Sequence, residues 1–307
     1  MRKRTTTKPS RFVSYLLTLL LTAGQGPAFA ASAAAPGKPT EDALASEVTS
    51  LQMQFEAELA NTGLSLVGTP KVDAGGQSVA QVHFLATAPL DLSRSGRLVH
   101  AKEYYVVSND RLPSVAATQE VRVDVNLETQ RVDVTTLLGF HEAFNGRDGH
   151  PSLQGLEIEN VVEIPLEEYR RAVSAAVPQK AFQELTQKLQ AQESQISHTT
   201  VTLPNGRHTT FRGTEMTLGQ ALNGALRASD ATTQVSWRCV RDCFADVNIR
   251  LSLPRALCAA AIVAACGTSC FFVGPACIAC FQAGFIGCSI GVGAVFVVRL
   301  IQCMRNC

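Results

Sequence analysis

The stretch EVRVDVNLETQRVDV, residues 120–134, alternates strictly for its first eight positions. Val121, Val123, Val125 and Leu127 fall on one side, and Arg122, Asp124 and Asn126 on the other. Successive strand residues point to opposite faces, so this pattern predicts a β-strand with one buried face. Glu128-Thr129-Gln130 supplies a short turn, and Val132 and Val134 resume the alternation. The reading is an antiparallel hairpin on a sheet that is apolar on one side.

Further elements surround it. Residues 78–87 and 100–107 read as strands, and Asn205-Gly206 inside TVTLPNGRHTTFR is a strong hairpin signal. Upstream, Thr40 follows Pro39 as a helix cap, with Glu41 and Asp42 in the first turn, where negative charge favours the helix. Leu44, Val48, Leu51, Phe55 and Leu59 then recur at steps of three and four, and Gly63 marks the stop. Residues 165–194 read as helical with a break or kink at Pro178, and residues 217–228 as a last short helix. Residues 40–228 are therefore expected to form an α+β body, long enough for its own core.

The chain ends differently. All ten cysteines lie in its last 69 residues: Cys239, Cys243, Cys258, Cys266, Cys270, Cys277, Cys280, Cys288, Cys303 and Cys307. The gaps between them run 3, 14, 7, 3, 6, 2, 7, 14 and 3 residues, nearly a mirror about Val273-Gly274. A chain that doubles back brings such mirrored positions together. Between Arg255 and Arg299 there are 43 residues without a charge, and Gly274-Pro275, a turn signal, sits at the middle of that run. Both features point to a small all-α, disulfide-rich helical hairpin or bundle over residues 237–307.

The mirror favours the pairs Cys239–Cys307, Cys243–Cys303, Cys258–Cys288, Cys266–Cys280 and Cys270–Cys277. Ten cysteines allow about 945 complete pairings, and spacing alone does not select one. One straight helix cannot aim all five cysteines of an arm at a partner, because those positions drift around its circumference. Pro254 is the expected break.

The N-terminus has the three parts of a general secretory signal. Arg2, Lys3, Arg4, Lys8 and Arg11 precede the apolar FVSYLLTLLLTAG, and Ala28-Phe29-Ala30 offers a cleavage site. The expected organisation is a signal peptide at 1–30, a flexible leader at 31–39, the body at 40–228, a polar linker at 229–236 and the cysteine-rich tail at 237–307. Secretion places the cysteines in an oxidising compartment, where an even count in a short segment reads as a disulfide framework. Residues 31–236 carry 16 basic and 24 acidic side chains, a balance of −8, and residues 237–307 carry six arginines and two aspartates, a balance of +4. The body and the tail thus attract each other. Within the tail, Arg238, Arg241, Arg250, Arg255, Arg299 and Arg305, with Trp237, are candidates for contact with a membrane surface. The competing reading buries the apolar run in a compact bundle with no membrane role.

No catalytic constellation stands out, and an enzyme is not expected. His141-Glu142-Ala143-Phe144-Asn145 starts like a helical zinc-protease motif, but its fifth position is Asn, and His150 lies nine residues on. The motif reads as a surface loop. His83, His100, His198 and His208 sit in strand or hairpin contexts without paired carboxylates at ligand spacing. Cys277-x2-Cys280 has zinc-like spacing without a second pair in a polar knuckle, so no metal or cofactor is expected.

The secretory signal, the cysteine-free acidic body and the ten-cysteine apolar tail together resemble the halocin C8-like bacteriocin precursor family. In the tail, Cys258-x7-Cys266-x3-Cys270-x6-Cys277 is similar to that family's core run. The resemblance implies that the tail is released by a processing protease as an antimicrobial peptide. It also implies that the body is an immunity protein that sequesters its own C-terminal peptide, and that the target is a competitor's membrane or envelope. No nucleic-acid partner is expected. The alternative function is a cell-envelope protein, anchored by the apolar tail hairpin, whose body binds a ligand outside the cell. A secreted protein, with membrane association as a variant, is the expected location.

Overall fold

Alternating strands dominate the structure, a computed structural model that describes residues 40–73, 79–109, 112–141, 154–213, 218–228, 242–244, 260–262, 266 and 297–303. The expected signal peptide, leader and linker lie outside these residues. The described residues all fall within one unit, Pro36–Cys307.

The first helix, α1 (Glu41–Leu59), begins where the cap predicts, with Thr40 Oγ1 accepting a hydrogen bond from the Ala43 amide at 3.3 Å. Gly63 has φ +74°, a left-handed conformation that glycine tolerates and that turns the chain away after the helix. The strands follow: β1 (Ser65–Leu66), β2 (Lys71–Asp73), β3 (Val79–Thr87), β4 (Gly96–Asn109), β5 (Leu112–Asn126), β6 (Arg131–Phe140) and β7 (Glu157–Pro165). Helices α2 (Leu166–Val173), α3 (Pro178–Gln190) and α4 (Glu193–Ile196) come next, then β8 (Ser197–Thr202), β9 (His208–Arg212) and α5 (Leu218–Ala228). All the pairings are antiparallel, in the order β1-β3-β4-β5-β6-β7-β8-β9, and β2 shares the outer edge of β3 with β1. The body is thus an antiparallel sheet with helices on both faces.

The hairpin over residues 120–134 is the centre of this sheet. Val123 pairs with Val134 and Asn126 with Arg131. Asn126 Oδ1 closes the turn by accepting from the amides of Glu128 and Thr129 at 3.0 and 3.1 Å. Strand β5 starts eight residues earlier than the alternation indicates, because the extra residue Ala116, opposite the Tyr105–Val106 step of β4, forms a bulge that breaks the period of β5 itself. Pro178 opens α3 instead of kinking a longer helix; its missing amide costs nothing at a helix start. Asn205-Gly206 turns β8 into β9, with Gly206 at φ +79°. Strand β7 has no counterpart in the sequence reading. Its inward positions include Asn160 beside Ile158, Val162 and Ile164, and this polar residue interrupts the apolar alternation.

Alternation sorts the two faces. Leu51, Phe55 and Leu59 of α1 pack on Val82, Phe84, Tyr104 and Val106 on one face. The opposite face carries two apolar clusters. One joins Val99, Val121, Val123 and Val134 to Tyr169, Phe182 and Leu185 of α2 and α3. The other joins Tyr105, Leu138, Phe140 and Ile158 to Ala221, Leu222 and Ala225 of α5.

Candidate functional site

The face with two clusters is also the face that meets the tail. Residues 242–244, 260–262, 266 and 297–303 are helical. Cys243, Phe244, Val297, Val298, Leu300 and Ile301 are buried in the cluster with α5. Phe244 stacks edge-on to Phe140 of β6, with ring centroids 6.0 Å apart and an angle of 63°. Ala260 and Cys266 are buried in the cluster with α2 and α3, where Ala261 and Ile262 also pack. The Tyr169 hydroxyl donates to the Ala260 carbonyl at 3.2 Å. Complete burial pushes the Tyr169 phenol above its usual range, so it stays a neutral donor.

Residues 297–303 show why this fit is possible. Val297, Val298, Leu300 and Ile301 follow the i, i+1, i+3, i+4 pattern of one helical face and are buried, while Arg299 and Gln302 on the other face are exposed. Cys303 packs at the margin of the same cluster and is disulfide-bonded to Cys243, with Cα atoms 5.7 Å apart across 60 positions of chain. This is one of the pairs favoured by the mirrored spacing. Cys266 is disulfide-bonded as well. Cys239, Cys258, Cys270, Cys277, Cys280, Cys288 and Cys307 lie outside the described residues. So do Trp237, Arg238, Arg241, Arg250, Arg255 and Arg305, leaving Arg299 as the one described member of that set.

A buried polar row separates the two clusters. Register places His83 of β3 opposite Glu103 of β4, and Glu103 opposite Gln119 of β5. Further along, Asn160 of β7 lies opposite Thr199 of β8. Glu103, Gln119 and Asn160 each sit between an inward neighbour in one cluster and an inward neighbour in the other, as Glu103 does between Ala101 and Tyr105. Glu103 is fully buried, and His83 Nε2 lies 3.5 Å from its Oε1. The Tyr105 hydroxyl donates to Gln119 Oε1 at 3.3 Å. Burial first, then the nearby Glu103 carboxylate, raises the Tyr105 phenol well above its ordinary value. Asn160 Nδ2 donates to the His198 carbonyl and to Thr199 Oγ1, at 3.2 and 3.1 Å. Buried polar groups need such partners, and the adjacent strands supply them here. The row thus lies between the two apolar seats of this face.

The α1 face holds a charged cluster that chain spacing did not reveal. The Lys102 ammonium contacts Glu58 Oε1 and Oε2 at 2.7 and 2.9 Å and Glu120 Oε1 at 2.9 Å. His100 Nε2 is 3.2 Å from Glu120 Oε2, and its ring meets Phe55 edge-on at 5.0 Å. His100 thus does have carboxylates near it, brought from the adjacent strand and from α1. Burial raises the Glu120 carboxyl, but the His100 hydrogen bond and the Lys102 charge outweigh it and bring it down to about 2. Donor atoms of Glu58, His100 and Glu120 lie within 4.8 Å of one another, as metal ligands do. The Lys102 ammonium already contacts both carboxylates there, so the cluster reads as an internal ion network. His141 Nε2 lies 2.7 Å from Thr118 Oγ1, and residues 142–150, with His150, lie outside the described residues. His198 pairs across to Arg212 and His208 is exposed, both at the β8–β9 edge.

Sequence reasoning missed Phe140, Tyr169 and the polar row as parts of this site. Phe140 follows Leu137-Leu138-Gly139, where strict alternation has ended. No family model, no curated protein and no solved structure matches the chain.

Proposed function

We propose that the chain is the secreted precursor of a disulfide-rich antimicrobial peptide, and that its acidic body holds the basic tail as an immunity-like partner. The observation that carries this reading is the burial of tail residues Phe244, Val297, Val298, Leu300 and Ile301 on one face of the body's sheet. Apolar groups that can enter a bilayer must be covered while they share a chain with their producer. Burial of such side chains is worth about 1.5–3 kcal/mol each, and the opposite charges of body and tail add attraction. The segregation of the cysteines fits two units with different fates, one stabilised by a core and the other by disulfides.

In this reading, a protease cuts between the last body helix and Cys239. The freed tail is a small all-α hairpin stapled by five disulfides. Its arginines engage anionic headgroups while the face that lay on the body turns to the lipid. The side chains that bind the body are thus the side chains that act on the target, so binding and toxicity exclude each other.

The test is mass spectrometry of the medium from cells producing the chain. The reading expects a fragment that begins between residues 229 and 239, ends at Cys307, and is lighter by ten hydrogens than its reduced form. Full-length protein retained in washed membranes, with no such fragment, would favour the envelope anchor.

A further inference from the structure

We propose that the body is also a template for oxidative folding of the tail, selecting the pairing of Cys243 with Cys303. The proposal rests on the docking of the tail on the sheet, and toxicity plays no part in it.

Cys243 and Cys303 are 60 positions apart, and each is flanked by residues anchored in the same cluster. Phe244, next to Cys243, is fully buried against Phe140. Leu300 and Ile301, one helical turn before Cys303, are fully buried in that cluster as well. Docking of these anchors on the cysteine-free sheet brings the two sulfurs together before any covalent bond exists. An unstructured chain has the opposite preference. Loop closure becomes rarer with about the 3/2 power of length, so Cys258–Cys266 and Cys280–Cys288, each eight positions apart, would close about twenty-fold more often than Cys243–Cys303. The body, having no cysteine of its own, can hold the tail without entering thiol exchange. Ala260, Ala261, Ile262 and Cys266 pack in the other cluster.

The chemistry needs an external disulfide as oxidant, such as glutathione disulfide. The Cys243 thiolate attacks it, forms a mixed disulfide and releases one glutathione thiol. The Cys303 thiolate then attacks the Cys243 sulfur and expels the second glutathione. Two cysteine thiols are oxidised, one glutathione disulfide is reduced to two thiols, and the two protons pass to the departing thiolates. A thiol oxidase acting after export and before cleavage is the class of reaction the precursor would need.

The experiment takes the fully reduced full-length chain into glutathione buffer, quenches samples by alkylation, and maps the linked peptides over time. The expected result is that Cys243–Cys303 appears before the eight-position pairs. In strong denaturant the order should reverse, with the short loops ahead by about twenty-fold. Two full-length variants probe the anchor: Phe140→Ala on the body and Phe244→Ala on the tail, the second leaving every body residue intact. Both are expected to slow formation of Cys243–Cys303 at least five-fold while the short pairs form at the denatured-chain rate. The proposal is overturned if short pairs lead in native buffer, or if Phe244→Ala pairs Cys243 with Cys303 as fast as the parent.

Discussion

The two faces of the body's sheet are built from the same strands and do opposite things. On β4, His100, Lys102 and Tyr104 point to the α1 face, while Val99, Ala101, Glu103 and Tyr105 point to the tail face. The α1 face holds a network of charges satisfied within the body: Lys102 with Glu58 and Glu120, and Glu120 with His100. The tail face holds two apolar seats, and both receive residues from beyond position 240. One face is closed by α1 and its ion pairs, and the other by α2, α3 and α5 together with residues from beyond position 240. This difference suits a protein that keeps one face for its own stability and lends the other to a partner.

The largest expected effect lies on the tail face. Phe244→Ala removes a fully buried ring and should cost about 3–5 kcal/mol, read as a lower denaturant midpoint for the full chain. A loss under about 1 kcal/mol would break the comparison, because Phe244 would then add little to the core. Next in size is the covalent tie. Cys243→Ser together with Cys303→Ser should cost about 2–4 kcal/mol in the oxidised protein and less under reducing conditions, where only the exchange of the buried Cys243 thiol for a hydroxyl remains.

On the α1 face, Lys102→Met leaves Glu120 without its ammonium partner and should cost about 2 kcal/mol, less than for a fully buried pair because Glu58 is partly exposed. A pH titration sharpens this. The Glu120 carboxyl stands near 2 in the folded chain against an ordinary 4.5, so the unfolded chain binds its proton first as pH falls. The stability it contributes is complete above about pH 4.5 and drains away toward pH 2, by at most about 3 kcal/mol. Lys102→Met removes the Lys102 share of that shift and leaves the His100 hydrogen bond, so the variant should show a shallower acid limb. An unchanged acid limb would show that the network does not stabilise the body. The smallest effect is at Arg299, exposed on the helix that buries its neighbours. Arg299→Glu should change full-chain stability by less than about 0.5 kcal/mol, yet weaken binding of the released tail to anionic vesicles.

What the sequence showed and what it hid follow one physical line. Residues 120–134 were legible because period-two alternation is a local signal that the sheet only has to accept. The cap at Thr40 and the turn at Asn205-Gly206 were legible for the same reason. Strand β7 was hidden because Asn160 interrupts its inward face to serve the polar row, a requirement set by β8. The partners of His100 were hidden because Glu120 is twenty positions away and meets it only through strand register. The tail's cysteine mirror suggested the Cys243–Cys303 pair, but not that Phe140 and α5 would lie beneath it.

The most direct test of the central claim is a neutralisation assay with the oxidised fragment 237–307 and the cysteine-free body 40–228. The account predicts that the fragment alone makes anionic vesicles leak at micromolar concentration, and that an equimolar amount of body abolishes the leakage. A fragment without effect, or leakage unchanged by the body, would contradict it.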